Sequence, residues 1–92
     1  MRISFDSAKS ERNIRNRGLA FESAAEFEFE SALYAVDERH DYGETRYIAA
    51  GMLGLRLHVL CFAETVEGIR VISFRKANAR EVKRYAKAKA AQ

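Results

Sequence analysis

Ile69-Arg70-Val71-Ile72-Ser73-Phe74-Arg75-Lys76-Ala77-Asn78-Ala79-Arg80-Glu81-Val82-Lys83-Arg84-Tyr85-Ala86 is the stretch that decides the fold. Its first six residues are mostly apolar and rich in β-branched side chains, which reads as a strand. Asn78 and Glu81 then stand at the N-cap and N3 spacing of a capping box, in which each side chain satisfies a free backbone N–H of the other. Val82, Tyr85 and Ala86 follow as an apolar stripe, so the spacing predicts a helix from about Ala79. Arg80, Lys83, Arg84 and Lys87 occupy the other side of that helix. With the stripe packed on a sheet, those cations stay in water beside the strand end that carries Arg75 and Lys76, and the two elements share one positive rim.

Working towards the N-terminus, three more segments have strand character: Ala32 to Val36, Thr45 to Met52 and Leu55 to Glu64. Asp41-Tyr42-Gly43, Gly54 and Glu67-Gly68 separate them, and four strands in succession imply an antiparallel meander. Leu55, Leu57, Val59 and Cys61 line one face of the third segment. Arg56 and His58 begin its other face before Leu60 and Phe62 turn apolar, which suggests that one end of that face opens to solvent. Further back, Asp6 or Ser7 can cap a polar helix through about Arg17, with Gly18 as its left-handed stop. Phe21, Ala24 and Ala25 recur at helical spacing and predict a second short helix. Residues 2–5 alternate in character and are readable as a fifth, short strand. The expectation is one α+β domain over residues 1–92: two N-terminal helices, an antiparallel sheet of about four strands, and a C-terminal helix.

Charge is distributed unevenly along this chain. From Arg70 to Gln92 there are eight Lys or Arg against the single carboxylate of Glu81, whereas the preceding residues hold eight basic against twelve acidic side chains. A formal net charge of +3 is too small to hold a polyanion by bulk attraction, so the argument rests on where the cations lie. Their placement on folded elements points to nucleic acid as the first partner to consider. The acidic stretch from Glu22 to Glu44 reads either as a solvated helix and loop or as a docking surface for a basic partner. Lone Cys61 cannot close an internal disulfide and suits a reducing compartment. No apolar run has the length of a signal core or a membrane span, so the expected location is cytoplasmic.

One Cys and two His supply no zinc ligand set, the carboxylates show no clear spacing for divalent ions, and the Gly-rich phosphate loop and the GxSxG elbow are both absent. The expected cofactor is none. RNA cleavage needs no metal, because the substrate carries its own nucleophile: a base takes the 2′-OH proton, the oxygen attacks the adjacent phosphate, and cations stabilise charge on the phosphoryl oxygens. Arg75, Lys76 and Arg80 suit the cationic role by position, and Arg46 joins them if its strand lies near the last one. A plain solvated face is the competing reading of that cluster. Tyr85 reads either as a proton donor or acceptor near the phosphate, if cations lower its pKa, or as a core aromatic with its hydroxyl at the edge. His58 reads as an acid–base group or, more simply, as a satisfied structural histidine, and His40 as an exposed loop residue.

Three segments resemble a known family. Phe5-Asp6, Lys9, Asn13, Gly18, Phe21 and Ala24 are similar to an aromatic-Asp opening, an Asn-x-x-Lys-His-Gly helix end and a following Phe-x-x-Ala. Glu44-Thr45-Arg46-Tyr47-Ile48-Ala49-Ala50-Gly51 resembles a Glu-x-Arg-aromatic-x-x-x-Gly strand. Ile69 to Asn78 with Glu81 and Tyr85 resembles an Ile-Arg-x-Ile-Ser-Ala-Arg-x-Ala-Thr strand with a Glu-x-x-x-Tyr ending. The family is BrnT, toxins of type II toxin-antitoxin systems, and the resemblance spans nearly the whole chain.

The resemblance implies a RelE-like fold, RNA cleavage that blocks translation, and neutralisation by a BrnA-like ribbon-helix-helix antitoxin. It also implies an assembly of two toxins and two antitoxins, with operator DNA bound through the antitoxin. The chain departs from the family pattern at Asn16 and Arg17, where Lys and His are usual, at Phe74, where a small residue is usual, at Asn78, where a Thr cap is usual, and at Ala86, where Glu often follows the Tyr. Together the two lines of reasoning assign Arg46, Arg75, Arg80 and Tyr85 to catalysis and Arg17, Arg70, Lys76, Lys83 and Arg84 to RNA binding. The rival from another class is a nucleic-acid-binding module in which the same cations only neutralise phosphates. A third reading is an interaction subunit whose basic helix contacts an acidic protein.

Overall fold

The computed structural model describes all 92 residues. In chain order they form β1 (Arg2–Ser4), α1 (Ser7–Arg17), a 3₁₀ helix (Phe21–Glu26), β2 (Leu33–Val36), β3 (Tyr47–Leu53), β4 (Arg56–Glu64), β5 (Gly68–Lys76) and α2 (Ala79–Ala90). The five strands make one sheet in the order β1-β5-β4-β3-β2. The meander from β2 to β5 is antiparallel throughout, as its turn spacing predicts. β1 departs from that pattern: it lies parallel to β5, with Ile3 opposite Ile69, so the sheet is mixed.

Local chemistry starts and stops the helices. Asp6 accepts from the N–H groups of Ala8 and Lys9 at 2.9 and 3.2 Å, and Gly18, at φ 67°, ends α1 by donating to the Ile14 carbonyl. Asn13 fastens α1 to the sheet, its Nδ2 donating to the carbonyls of Leu19 at 2.8 Å and of Phe74 in β5 at 2.9 Å. The second expected N-terminal helix is a single 3₁₀ segment whose buried Phe21 and Ala24 face the core. Both halves of the capping box between Asn78 and Glu81 form at the start of α2.

The main core lies between the sheet and the N-terminal layer, where Phe21, Ala24 and Phe27 meet Ala49, Leu60, Phe62, Ile69, Val71 and Phe74. His58 is part of this face too. Only 4% exposed, it packs against the Phe74 ring, and its Nδ1 lies 2.9 Å from the Arg56 carbonyl. The solvent-open end expected from Arg56 and His58 is therefore closed at His58, and Leu55, read as sharing a face with Leu57, Val59 and Cys61, stands fully exposed before β4. On the opposite face α2 covers a smaller cluster of Leu57, Val59 and Ala77, joined by Ile48, Met52 and Tyr85. The predicted stripe seats only in part: no residue of α2 is buried, and Val82 is 41% exposed.

A Cβ built at Gly68 would stand 2.1 Å from the Arg2 carbonyl oxygen and 2.6 Å from its nitrogen. Backbone cannot yield as a side-chain tip would, so Gly68→Ala should push β1 off the sheet. About 2–3 kcal/mol of destabilisation is expected from the lost pairing and from partial exposure of Ile3. Urea unfolding together with loss of amide-exchange protection at Ile3 and Ser4 would report it, and an unchanged midpoint would contradict it.

Candidate functional site

A β-bulge sets the geometry of the cationic face. Pairing of β4 with β5 runs from Cys61 opposite Ser73 directly to Phe62 opposite Val71, leaving Ile72 as the extra residue. Side chains alternate along a strand, so Arg70 and Arg75, five positions apart, would point to opposite faces of a regular β5. The bulge reverses the alternation once. Arg70 then sits opposite Ala63, Ser73 opposite Cys61 and Arg75 opposite Val59, all on the face that α2 partly covers. Arg46, immediately before β3 and two residues from Ile48, continues on that face.

Acidic partners hold these guanidinium groups in place. Glu81 takes Arg75 through two parallel contacts of 2.8 and 2.9 Å, and its Oε1 also accepts from the Asn78 N–H. The Arg75 guanidinium, with help from that N–H and against some desolvation, lowers the Glu81 pKa to about 2. Glu44 accepts from both Arg70 and Arg46, and the Arg70 hydrogen bond foremost holds its carboxyl below the ordinary carboxylate range against some desolvation. The Arg46 guanidinium also lies 4.0 Å over the Tyr42 ring. Asp37, only 6% exposed, pairs with Arg39 at 2.7 and 2.8 Å and accepts from the Tyr42 hydroxyl at 3.1 Å. Its carboxyl is held well below the usual range by the Arg39 hydrogen bonds.

Two shallow clefts run along the α1 side of this arrangement. One, of about 320 Å³ between α1 and β5, is lined by Lys9, Arg12, Asn16, Arg17, Ser73 and Arg75, with no carboxylate in its wall. The other, of about 400 Å³, is lined by Ser4, Asp6, Lys9, Arg46, Arg70 and Ile72. Lys9 and Ile72 belong to both, so six cations border two adjoining clefts. No group of three or more His, Cys, Asp or Glu is placed to hold a metal ion. The chemistry on offer is binding of a phosphodiester and stabilisation of negative charge on its oxygens.

Among the residues singled out from sequence, Arg17, Arg46, Arg70 and Arg75 come together here, and five others do not. Arg80, exposed on the first turn of α2, borders neither cleft and makes no ion pair. The alternation of β5 puts Lys76 on the face opposite Arg75, in register with His58. Arg84 stands on the flank of α2 nearer β2, and Lys83 on the other flank near Arg56 and Lys89. Tyr85 packs on the smaller core cluster, and its hydroxyl donates to the Ser31 carbonyl at 3.4 Å.

Sequence reading missed Lys9, Arg12 and Asn16 as site residues. They recur at helical spacing on one side of α1, a signal the sequence did carry. No helix of the structure is long and apolar enough to cross a membrane.

A family model described as the ribonuclease toxin BrnT of type II toxin-antitoxin systems matches residues 5–81, from the residue before the α1 cap to the Glu81 partner of Arg75. No curated protein and no solved structure matches the chain. The matched segment contains every residue of both clefts except Ser4. The chain belongs to the BrnT family of ribonuclease toxins of type II toxin-antitoxin systems.

Proposed function

We propose that this toxin is a metal-independent endoribonuclease on a RelE-like fold, which arrests translation by cutting RNA laid along the depression between α1 and β5. The observation that carries the reading is the convergence of Arg46, Arg70 and Arg75 with Lys9, Arg12 and Arg17 around clefts that share Lys9 and Ile72. Guanidinium groups from β5, from the start of β3 and from α1 there surround a space open enough for a sugar-phosphate backbone.

In this reading Arg75 is the principal transition-state cation. Glu81 fixes its fork through one N–H of each terminal nitrogen and the Lys76 carbonyl takes a further Nη1 N–H at 3.3 Å, which leaves the Nε–H and one Nη2 N–H for two phosphoryl oxygens. As the 2′-oxygen attacks phosphorus and the 5′-oxygen leaves, charge on the non-bridging oxygens rises, and a donor held in place beforehand needs no reorganisation. Arg46, stacked on Tyr42 and tethered by Glu44, meets the same phosphate or its neighbour. Lys9, Arg12, Arg17 and Arg70 neutralise flanking phosphates. Arg80, Lys76, Lys83 and Arg84 act as outlying cations that raise affinity for RNA, and Tyr85 anchors α2 instead of transferring a proton. Partnership with a ribbon-helix-helix antitoxin, in a two-plus-two complex that binds operator DNA through that antitoxin in the cytoplasm, completes the proposal.

Incubation of the purified protein with single-stranded RNA in excess chelator tests it. New ends bearing 2′,3′-cyclic phosphate are expected. Intact RNA bound in a salt-sensitive manner would instead identify a binding module, and cleavage that needs added Mg²⁺ would remove metal independence from the proposal.

A further inference from the structure

We propose that the groove between α2 and the β3–β4 hairpin receives an amphipathic helix of the cognate antitoxin, apolar on its buried stripe and acidic along its flanks. The groove is a broad apolar concavity of about 750 Å³, lined by Met52, Leu55, Leu57, Val82, Tyr85 and Ala86. Leu55 is fully exposed and Val82 41% exposed, so the groove presents large aliphatic side chains that the chain itself does not cover. The apolar stripe of α2 thus serves two surfaces: Tyr85 rests on the sheet, while Val82 and Ala86 face outwards.

Charge identifies the occupant. Arg56, Lys83 and Lys89 border the groove, and none of the three pairs with a carboxylate. Arg56 and Lys89 spend hydrogen bonds on the carbonyls of Ala77 and Ser31, which leaves their charges uncompensated. A second copy of this chain would bring the same cations against themselves. A helix with an apolar ridge and flanking Asp or Glu fits both the shape and the sign. The α2 residues on this flank, including Val82, Lys83 and Ala86, differ from Glu81, which holds Arg75, so the groove is separate from the cation clefts.

The inference takes only the existence of an antitoxin from the family and is independent of the cleavage mechanism. The test uses the full-length toxin and the purified antitoxin encoded beside it, with affinity measured by titration calorimetry and RNA cleavage by the free toxin assayed in parallel. Leu55→Asp, at a fully exposed position that cannot upset folding, should weaken antitoxin binding at least thirtyfold and leave cleavage by free toxin unchanged. The double variant Arg56→Glu with Lys83→Glu should lose about tenfold at low salt, and that loss should shrink as salt is raised. A control at the sheet edge, Tyr34→Asp, should bind as the parent does. Unchanged affinity in Leu55→Asp, tighter binding in the charge-reversed pair, or a toxin dimer that Leu55→Asp dissolves while antitoxin binding persists would each overturn the proposal. Failure of the RNA assay with the parent toxin would count against the cleavage mechanism alone.

Discussion

Arg75→Ala should lower RNA cleavage by roughly 10²–10³-fold, the range seen when one preorganised donor to a developing oxyanion is removed. The reason lies in the number and orientation of N–H groups and not in charge alone. Arg75 is already matched in charge by Glu81, so its contribution comes from the two donors that Glu81 and the Lys76 carbonyl leave unused. Arg75→Lys keeps the charge and loses the planar fork, and it should recover no more than a small part of the rate. Folding should survive either change. The Asn78–Glu81 capping box does not depend on the guanidinium, and Arg75 is partly exposed, which puts the stability loss at about 1 kcal/mol. Initial rates on a short RNA, with thermal unfolding as a control, measure both effects. A rate within threefold of the parent would remove Arg75 from the reacting phosphate.

Elements whose cause is local were legible in the sequence. Asp6 and Gly18 bound α1, and Asn78 with Glu81 starts α2, because a cap is written in residues three or four positions apart. The antiparallel meander followed from turns spaced between apolar runs. What escaped is what depends on partners far along the chain. The parallel seating of β1 on β5 joins residues 2–4 to 68–70 and has no signature in either segment except the need for a Gly at position 68. Nor does any residue in Val71-Ile72-Ser73 announce a bulge, yet that bulge decides which arginines share a face. The 41% exposure of Val82 was hidden for a related reason: a helical stripe gives the direction of burial, not the distance to the surface that would bury it.

The site mixes both kinds of information. Arg46, Arg70 and Arg75 were singled out from sequence, but the grouping expected with Arg80 is replaced by one with α1. Helix α1 was read only as polar, a reading that passes over Lys9 and Arg12, which border the cleft together with Arg17. The acidic stretch also divides in the folded chain. Glu44, still exposed, is the counter-ion of Arg46 and Arg70, and buried Asp37 is that of Arg39, so part of the negative charge of the N-terminal half belongs to the cationic face it seemed to oppose. The modest net charge is consistent with such a site: the guanidinium groups nearest the proposed reacting phosphate carry their own carboxylates, and Lys9, Arg12 and Arg17 provide the uncompensated attraction.

Phe74 separates stability from activity most sharply. Phe74 stands next to Arg75, at a position where the sequence departs from the small residue of the pattern it resembles. Alternation turns its ring away from Arg75: Phe74 lies in register with Leu60 on the face covered by the N-terminal layer, is fully buried, and meets the rings of Phe27 at 6.0 Å and His58 at 5.6 Å. Phe74→Ala should therefore cost about 3–5 kcal/mol, as large-to-small changes at closed aromatic positions do. Against the ~5–14 kcal/mol expected for a chain this short, that is a large share, and the thermal midpoint should fall by about 15–30 °C. Partial collapse is restricted because the Phe27 ring already fills the space above Gly51, where an added Cβ would lie 2.6 Å from its Cζ. At a temperature where the variant remains folded, its cleavage rate should stay within a few-fold of the parent, since Arg75, Glu81 and Arg46 all sit on the other face. A loss below 1 kcal/mol would mean that Phe27 and His58 close over the gap, and a hundredfold loss of rate in the folded variant would tie the ring to the cleft beside it.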